Sequence, residues 1–209
     1  MIEDLWNHLP ETGSVSLPAL APLLDRVRLV PGSFIEIGVF RGRTYRALLA
    51  AAASGARRCY AVDSFRGMAE PGPEDGSSYP AGKFDVGGTA ALRRAVEQDG
   101  HADWSCIIEG WVPAVFSDPQ LSGILLAFAH VDLDHYQPTL DALRWLWPRM
   151  AHGGLIAVHD YFNSVAGLAS GAVRRFAVEE HLAIQAVESS RGVTSGISRH
   201  AVFEKGGSQ

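Results

Sequence analysis

Short apolar runs alternate with amphipathic stretches along most of the chain. The apolar runs predict five strands, at residues 33–39, 58–63, 104–110, 123–132 and 153–160. Helices are predicted at residues 43–54, 89–98, 137–149 and 165–180. In the third of these, Leu140, Leu143 and Trp147 recur at i, i+3 and i+7 as one buried stripe. This alternation is typical of a parallel sheet with helices on both faces.

A further helix, at residues 17–30, precedes the first strand, and two short strands near 182–188 and 199–204 close the chain. The 209 residues are enough for one sizeable core. We therefore expect a single α/β domain over residues 1–209, built on an open doubly wound sheet. In such sheets ligands bind outside the carboxyl ends of the strands. The apolar segment 17–30 also leaves room for a homodimer.

The segment between the second strand and the next helix, residues 64–88, has almost no periodicity and is rich in Gly, Pro and Ser. Loops of this length are uncommon inside a compact domain and tend to be functional. We expect the 64–88 segment to be a lid that helps to choose the substrate. Its Tyr79, Lys83 and Phe84 then either line a glycan site or pack the lid. An insertion without function is the alternative.

Composition excludes several classes of partner. The formal net charge of −5, from 18 basic and 23 acidic residues, offers no basic surface for nucleic acid or membrane lipid. No apolar run approaches the ~20 residues of a membrane-spanning helix, and we see no signal peptide. Cys59 and Cys106 lack metal-ligand spacing, so we expect buried, reduced thiols and a cytoplasmic protein.

Polar residues at the ends of the first two strands predict a nucleoside site. Gly38 and Gly42 flank a tight strand-to-helix turn, where a missing Cβ lets a ligand approach the backbone. Glu36 lies inside the strand and is expected to contact either a ligand amine or the loop's own amides. Asp63 ends the second strand, where an acidic residue can accept hydrogen bonds from ribose hydroxyls; a solvated Asp at a turn is the alternative.

These two carboxylates favour S-adenosylmethionine as the cofactor. A nicotinamide dinucleotide needs donors for its pyrophosphate, usually from a fuller glycine pattern. S-adenosylmethionine has no phosphate, and its amino group and ribose each suit a carboxylate.

Five stretches, taken in order, resemble the macrocin O-methyltransferase family: EIGVFRG, AVDSFRGM, EGWVPAVF, VDLDHYQPTLDAL and GGLIAVHDY, over about residues 34–161. Enzymes of that family methylate sugar hydroxyls of macrolides and related natural products. The resemblance implies a class I, Rossmann-like methyltransferase that uses S-adenosylmethionine. It also implies a small-molecule acceptor, a glycoside or polyol of secondary metabolism.

The resemblance further implies roles for individual residues. The family holds a divalent cation, usually Mg²⁺, with an Asp ending the fourth strand and two adjacent acidic residues ending the fifth. The matching positions here are Asp132, His159 and Asp160, so a histidine replaces one carboxylate. Imidazole is a softer ligand than carboxylate, and Mg²⁺ prefers oxygen. Either the cation is Mn²⁺, Zn²⁺ or another transition ion, or His159 is not a ligand, or the site holds no cation, and the choice between Mg²⁺ and Mn²⁺ stays open. Residues implied at the cofactor are Ser64, Gly110 and Trp111.

Asp134, the second acidic residue of the D-x-D pattern, is the base that the resemblance implies. If the strand continues, the pleat sends Asp132 and Asp134 to the same side, so that one can ligate while the other takes the proton. His135 is the rival base, because an imidazole pKa near ~6.5 suits proton abstraction at neutral pH. It can equally bond the start of the next helix.

The remaining histidines are given no catalytic role. His130 is expected deeper in the sheet, as a core or supporting residue. The others are expected at the surface or in loops: His8, His101, His152, His181 and His200.

The sequence therefore predicts a metal-assisted, S-adenosylmethionine-dependent O-methyltransferase. Two alternatives stay open. A metal-dependent hydrolase built around Asp132, Asp134, His159 and Asp160 would leave Glu36 and Asp63 unexplained. A binding module that keeps the cofactor site but has lost catalysis is the other.

Overall fold

The computed structural model describes residues 16–75, 79–161, 167–188 and 199–206. Within these ranges the helices are α1 (Leu17–Arg26), α2 (Arg43–Ser54), α3 (Ala90–Gln98), α4 (Tyr136–Leu146) and α5 (Gly167–Glu179). The strands are β1 (Ser33–Ile37), β2 (Cys59–Asp63), β3 (Ser105–Glu109), β4 (Leu126–Val131), β5 (Met150–Tyr161), β6 (Gln185–Glu188) and β7 (Arg199–Glu204).

The seven strands form one sheet in the order β3-β2-β1-β4-β5-β7-β6. Strands β1 to β5 are parallel, and β7 runs antiparallel to both β5 and β6. Going outward from the centre, β2 and β3 follow β1 on one side, and β5, β7 and β6 follow β4 on the other. In a doubly wound sheet this switch point opens a crevice at the carboxyl ends of the two strands, where ligands bind.

Alternate side chains of the central strands supply two cores, one on each face of the sheet. In β1, Ile35 and Ile37 pack with α4 and α5, whereas Phe34 packs with α1 and α2. Strand β4 is buried along its whole length. Burial on both faces explains why the central strands are almost continuous apolar runs in the sequence.

The predicted doubly wound α/β fold is confirmed, with differences at the ends of elements. Helix α1 ends at Arg26 because the chain turns at once, with Val30 N donating to Val27 O. Helix α4 begins one residue earlier than predicted and ends at Leu146, before a 3₁₀ turn that contains Pro148. Strand β5 extends beyond its predicted range at both ends, and β4 and β6 are shorter than predicted.

The 64–88 segment is more regular than its composition suggests. Arg66 and Asp85 form an antiparallel bridge. Next to it, Met68 N donates to Lys83 O at 2.9 Å, and Gly82 N donates to Met68 O at 2.9 Å. The two arms of the segment therefore pair with each other. Residues 76–78 at its middle lie outside the described ranges.

The structure bears on the predictions about the cysteines and about membrane-spanning helices. Cys59 and Cys106 are free thiols, but only Cys59 is buried. The prediction of burial is wrong for Cys106, because β3 is an edge strand of the sheet. None of the described helices is long and apolar enough to span a membrane.

Candidate active site

A cavity of about 460 Å³ opens at the carboxyl ends of β1, β2, β4 and β5, against the 64–88 segment. Its size is that of a small-molecule site. Of the site residues predicted from the sequence, only Gly42 does not line it. Those that do are Glu36, Gly38, Asp63, Ser64, Gly110, Trp111, Asp132, Asp134, His135, His159 and Asp160.

The two glycines of the turn after β1 are required by the protein's own packing. Gly38 has a φ of +88°, and a Cβ there would lie 1.9 Å from the backbone oxygen of Asp132. Gly42 has a φ of +78°, and a Cβ there would lie 2.3 Å from Leu92 Cδ1 on α3. Packing within the protein is therefore sufficient to require glycine at both positions, and Gly42 does not line the cavity.

Glu36 lines the cavity although it is only 2% exposed. Its Oε1 lies 2.8 Å from His130 Nδ1, because the two residues are register partners on β1 and β4. Among the described residues, Oε2 has no hydrogen-bond partner. Burial, with the charges of Asp132 and Asp63, raises the pKa of Glu36 well above its usual range. A ligand donor would satisfy Oε2, which otherwise carries a desolvation penalty.

A row of histidines lies behind Glu36. His130 Nε2 is 3.2 Å from His200 Nε2, and the ring centre of His200 is 5.0 Å from that of His159. His130 is thus a buried, hydrogen-bonded histidine, as predicted. The prediction of a surface or loop position is wrong for His200, which is fully buried on β7. Its burial follows from the insertion of β7 between β5 and β6, which local sequence does not reveal.

Asp63 joins the turns that follow β1 and β2. Its Oδ2 accepts hydrogen bonds from the backbone amides of Val39 (2.6 Å) and Phe40 (2.8 Å), and its Oδ1 accepts one from Phe65 N (2.7 Å). It is therefore not a merely solvated residue at a turn. Each carboxylate oxygen has two lone pairs, so capacity remains for a ligand hydroxyl.

Ser64 and Trp111 meet at one backbone carbonyl. Ser64 Oγ donates to Gly67 O at 2.6 Å, and Trp111 Nε1 donates to the same oxygen at 3.3 Å. These bonds fix the start of the 64–88 segment against the turn after β3. At Gly110 a Cβ would lie 2.9 Å from Val115, so this turn needs glycine for packing.

Asp132, His159 and Asp160 converge at the ends of β4 and β5. His159 Nδ1 lies 3.1 Å from Asp132 Oδ1 and 3.3 Å from Asp160 Oδ1. One donor atom from each residue falls within 4.8 Å of the other two. Two carboxylate oxygens and one imidazole nitrogen in this arrangement fit a divalent transition ion better than Mg²⁺.

The same three side chains form an ion-paired cluster. Burial alone would lower the pKa of His159, but the charges of Asp132 and Asp160 and the hydrogen bond to Asp132 raise it to about 9. Partial burial would raise the pKa of Asp132, but the charge and hydrogen bond of His159 lower it to about 2. The His159 imidazolium therefore offsets part of the negative charge of Asp132 and Asp160, and a cation bound here would have to replace its Nδ1 proton.

Asp134 lies in a tight turn and not in a strand. Strand β4 ends at Val131, Asp134 has a φ of +60°, and His135 N donates to Leu133 O at 2.6 Å. This i to i+2 bond defines a γ-turn with Asp134 at its centre. The prediction that the pleat aligns Asp132 and Asp134 is therefore wrong, although both line the cavity. Burial, with the charges of Asp132 and Asp160, raises the pKa of Asp134 to about 7.

His135 contacts the 64–88 segment. Its Nε2 lies 3.0 Å from Tyr79 O, and its Nδ1 lies 3.9 Å from Asp75 Oδ2. A carbonyl oxygen only accepts, so Nε2 carries the proton and is not free to act as a base. His135 is the N-cap residue of α4, but its side chain makes no capping bond. The cap comes from Asp75, whose Oδ1 accepts from Tyr136 N at 2.7 Å.

Sequence reasoning missed Asp75 and Phe40. The partner of Asp75 lies 61 residues away, so no local pattern indicates it. The Phe40 ring lies 5.3 Å from Phe84, which in turn lies 6.0 Å from Tyr79, and all three line the cavity. Phe40 has a φ of +51°, which is uncommon outside glycine and could not be anticipated from residue type.

The chain matches a known family of methyltransferases. The family described as "methyltransferase domain" matches residues 35–161. This is more than half of the chain, so the protein belongs to that methyltransferase family. The predicted resemblance to O-methyltransferases of natural-product biosynthesis is confirmed at the level of the family.

Individual relatives agree with this assignment. The 8-demethyl-8-(2,3-dimethoxy-alpha-L-rhamnosyl)-tetracenomycin-C 4'-O-methyltransferase of Streptomyces olivaceus is 34% identical over 144 residues, or 63% of this chain and 54% of that protein. The chain thus spans about half the length of this curated relative. The calicheamicin methyltransferase CalS11 has a TM-score of 0.73 at 23% identity, covering 98% of this chain and 84% of that one.

A second solved structure shows the same fold. The O-methyltransferase from Bacillus cereus, in complex with SAH, has a TM-score of 0.64 at 16% identity, over 98% of this chain and 90% of that one. At these identities the structural likeness establishes the fold, whereas the assignment to a methyltransferase family rests on the family match.

Proposed function

We propose that the protein transfers a methyl group from S-adenosylmethionine to a hydroxyl of a sugar or polyol in a secondary metabolite, with the help of a divalent cation. One observation carries this proposal. A buried carboxylate oxygen without a partner, on Glu36, lines the same cavity as the Asp132, His159 and Asp160 cluster. The first suits the ammonium group of the cofactor, and the second suits the acceptor side of the reaction.

The cofactor would lie along the turns after β1, β2 and β3. Glu36 Oε2 is the proposed acceptor for its amino group, and Asp63 for its ribose hydroxyls. The backbone at Gly38, together with Ser64, Gly110 and Trp111, would form the walls. Gly42 supports this site indirectly, because it allows α3 to pack against the turn.

The chain has to hold the acceptor oxygen in line with the electrophilic sulfonium methyl and remove its proton. Asp134 is the proposed proton acceptor. Its carboxylate lines the cavity next to the proposed cation site. His135, the rival base, already donates through Nε2 to Tyr79 O.

Asp132, His159 and Asp160 would hold the cation. When bound, a divalent cation lowers the pKa of a hydroxyl that it contacts, which supplies the acidity that a sugar alcohol lacks at neutral pH. The mixed donor set favours Mn²⁺ or another transition ion over Mg²⁺.

Two relatives suggest the kind of acceptor. The names of the Streptomyces olivaceus protein and of CalS11 in its apo form, a TDP-rhamnose 3'-O-methyltransferase, both refer to rhamnose. A deoxysugar hydroxyl is therefore the first acceptor to test.

Calorimetry with S-adenosylhomocysteine, followed by methyl transfer to TDP-rhamnose and to rhamnosyl glycosides, tests the proposal. We expect S-adenosylhomocysteine to bind and a product heavier by one methylene unit to form. Asp132→Ala should abolish turnover and leave cofactor binding largely intact. Folded protein that does not bind S-adenosylhomocysteine would rule the proposal out.

The alternatives predict different results in the same assays. The family match and the unpartnered oxygen of Glu36 favour methyl transfer over the metal-dependent hydrolase. A binding module without catalysis would bind S-adenosylhomocysteine and give no product with any acceptor or cation.

A further inference from the structure

The first turn of α4 is capped by a carboxylate from the 64–88 segment. Asp75, whose side chain is only 2% exposed, accepts from Tyr136 N at 2.7 Å through Oδ1 and from Gly72 N at 2.9 Å through Oδ2. The first amides of a helix have no partner within the helix, and a negative charge at that end is stabilising. Asp75 thus connects the 64–88 segment to α4.

His135 makes a second connection between the same two parts. Its side chain is only 2% exposed, with Nε2 3.0 Å from Tyr79 O and Nδ1 3.9 Å from Asp75 Oδ2. Both ring nitrogens therefore face the 64–88 segment. The ring anchors the residue that directly follows Asp134.

Asp134 itself has an unfavourable backbone. A non-glycine residue with a φ of +60° at the centre of a γ-turn stores strain, and such residues persist only where their surroundings hold them. The two residues that follow Asp134 are held by the contacts just described: His135 through its ring, and Tyr136 through its amide.

We propose that Asp75 and His135 form a latch that holds Asp134 in its γ-turn, and that both are positioning residues for the proton transfer. The inference rests on the proposed function, because it presumes that Asp134 receives the proton. The 64–88 segment then acts on the reaction through α4 and the backbone at Asp134, as well as through the side chains that line the cavity.

The geometric half of the proposal is tested by hydrogen exchange of the His135 and Tyr136 amides, in protein saturated with S-adenosylhomocysteine. Asp75→Ala should speed exchange at both amides, while Asp75→Asn, which keeps an acceptor oxygen for Tyr136 N, should restore most of the protection. Asp118→Ala is the matched control, because Asp118 caps a short 3₁₀ turn by accepting from Gln120 N. Wild-type exchange in Asp75→Ala would overturn the latch.

The catalytic half is tested by steady-state kinetics with TDP-rhamnose or the rhamnosyl glycoside that the wild-type protein methylates. Misplacing a reacting group by about 1 Å costs on the order of a hundredfold in rate, so kcat should fall by that order in Asp75→Ala and in His135→Phe. The KM for S-adenosylmethionine should stay unchanged, and Asp75→Asn should recover most of kcat. Unchanged kcat in both variants would overturn the positioning role.

Failure of the proposed function is distinguishable from failure of the latch. A wild-type protein that binds no S-adenosylhomocysteine refutes the function, whereas the exchange measurement can be repeated on the protein alone and still decides the geometry.

Discussion

The α-carbon of Gly38 packs directly against the backbone carbonyl of Asp132, so that a Cβ at position 38 would lie 1.9 Å from that oxygen. The contact joins the end of β1 to the end of β4, where Asp132 N also donates to Ile37 O at 2.9 Å. It therefore fixes the distance between the proposed cofactor turn and the proposed cation ligand. The glycine that the sequence assigned to the cofactor equally determines where Asp132 lies.

Gly38→Ala should destabilise the protein and weaken its affinity for S-adenosylhomocysteine. A positive φ in a non-glycine residue costs roughly 1–2 kcal/mol, and the overpacking against Asp132 adds about 1–3 kcal/mol. Urea unfolding and calorimetry measure the two effects. Gly123→Ala is the control, because Gly123 has a φ of +65° and nothing within 4 Å of its Cβ position. Equal losses in both variants would show that backbone strain alone is responsible.

The fold could be predicted from the sequence because it depends on local patterns. Buried parallel strands leave continuous apolar runs, as in β4, and each run ends where a polar residue such as Asp63 or Asp132 begins the loop. The place of β7 could not be predicted in the same way, since antiparallel insertion beside β5 is a long-range choice. That is why the burial of His200 was missed.

The site was predicted as a set of residues more accurately than as a geometry. The carboxyl ends of neighbouring parallel strands meet at one edge of the sheet, so the sequence alone places Glu36, Asp63 and Asp132 around one cavity. The conformation of Asp134 and the cap from Asp75 depend on a γ-turn and on a contact across 61 residues. Neither has a sequence signature.

Glu36→Gln should weaken S-adenosylhomocysteine binding by roughly ten- to a hundredfold, because a charge-assisted hydrogen bond contributes roughly 1.5–3 kcal/mol. The loss should be absent with 5'-methylthioadenosine, which has the ribose and adenine but no amino acid group. Calorimetry with the two ligands separates the ammonium contact from the nucleoside contacts. Equal weakening of both ligands would contradict the assignment of Glu36.

Asp63→Ala should weaken the binding of both S-adenosylhomocysteine and 5'-methylthioadenosine, because both ligands contain the ribose. The substitution also removes the acceptor of three backbone amides, at Val39, Phe40 and Phe65, so the thermal midpoint should fall as well. Asp63→Asn keeps one carbonyl oxygen and should retain part of both properties. Unchanged affinity for 5'-methylthioadenosine in the Ala variant would refute the ribose contact.

Below about pH 6.5 the buried histidines should make a destabilising contribution, because they have to be neutral in the folded state. Glu36 and Asp134, whose pKa values are raised, contribute in the opposite direction over the same range, so the histidine contribution is measured as a difference between variants. Burial lowers the pKa of His130 to about 4 and that of His200 well below its usual range. At these two histidines the unfolded chain therefore binds more protons than the folded protein between about pH 6.5 and 4. Their contribution to the free energy of unfolding decreases as the pH falls, by about 3 kcal/mol for His130.

Thermal midpoints between pH 4.5 and 7.5 measure this loss. His200→Gln should flatten the profile, while His152→Gln, which replaces an exposed histidine, should leave its slope unchanged. Parallel profiles for all three proteins would show that the buried histidines do not control the acid limb.

His159→Asp should change the cation preference of the proposed site at the ends of β4 and β5. In the wild-type protein the His159 imidazolium offsets part of the charge of Asp132 and Asp160. As a ligand of the proposed site, the softer imidazole nitrogen would favour Mn²⁺ over Mg²⁺. An aspartate at 159 would bring three carboxylates together, so the thermal midpoint without a cation should fall and should recover on addition of Mg²⁺. Calorimetry should show a gain in Mg²⁺ affinity relative to Mn²⁺. His159→Gln removes the imidazolium without adding a carboxylate, so its thermal midpoint should also fall, but it should gain no affinity for Mg²⁺. If the Asp variant gains no affinity for Mg²⁺, the three residues are not a cation site, and the His159 imidazolium serves only as an ion-pair partner of Asp132 and Asp160.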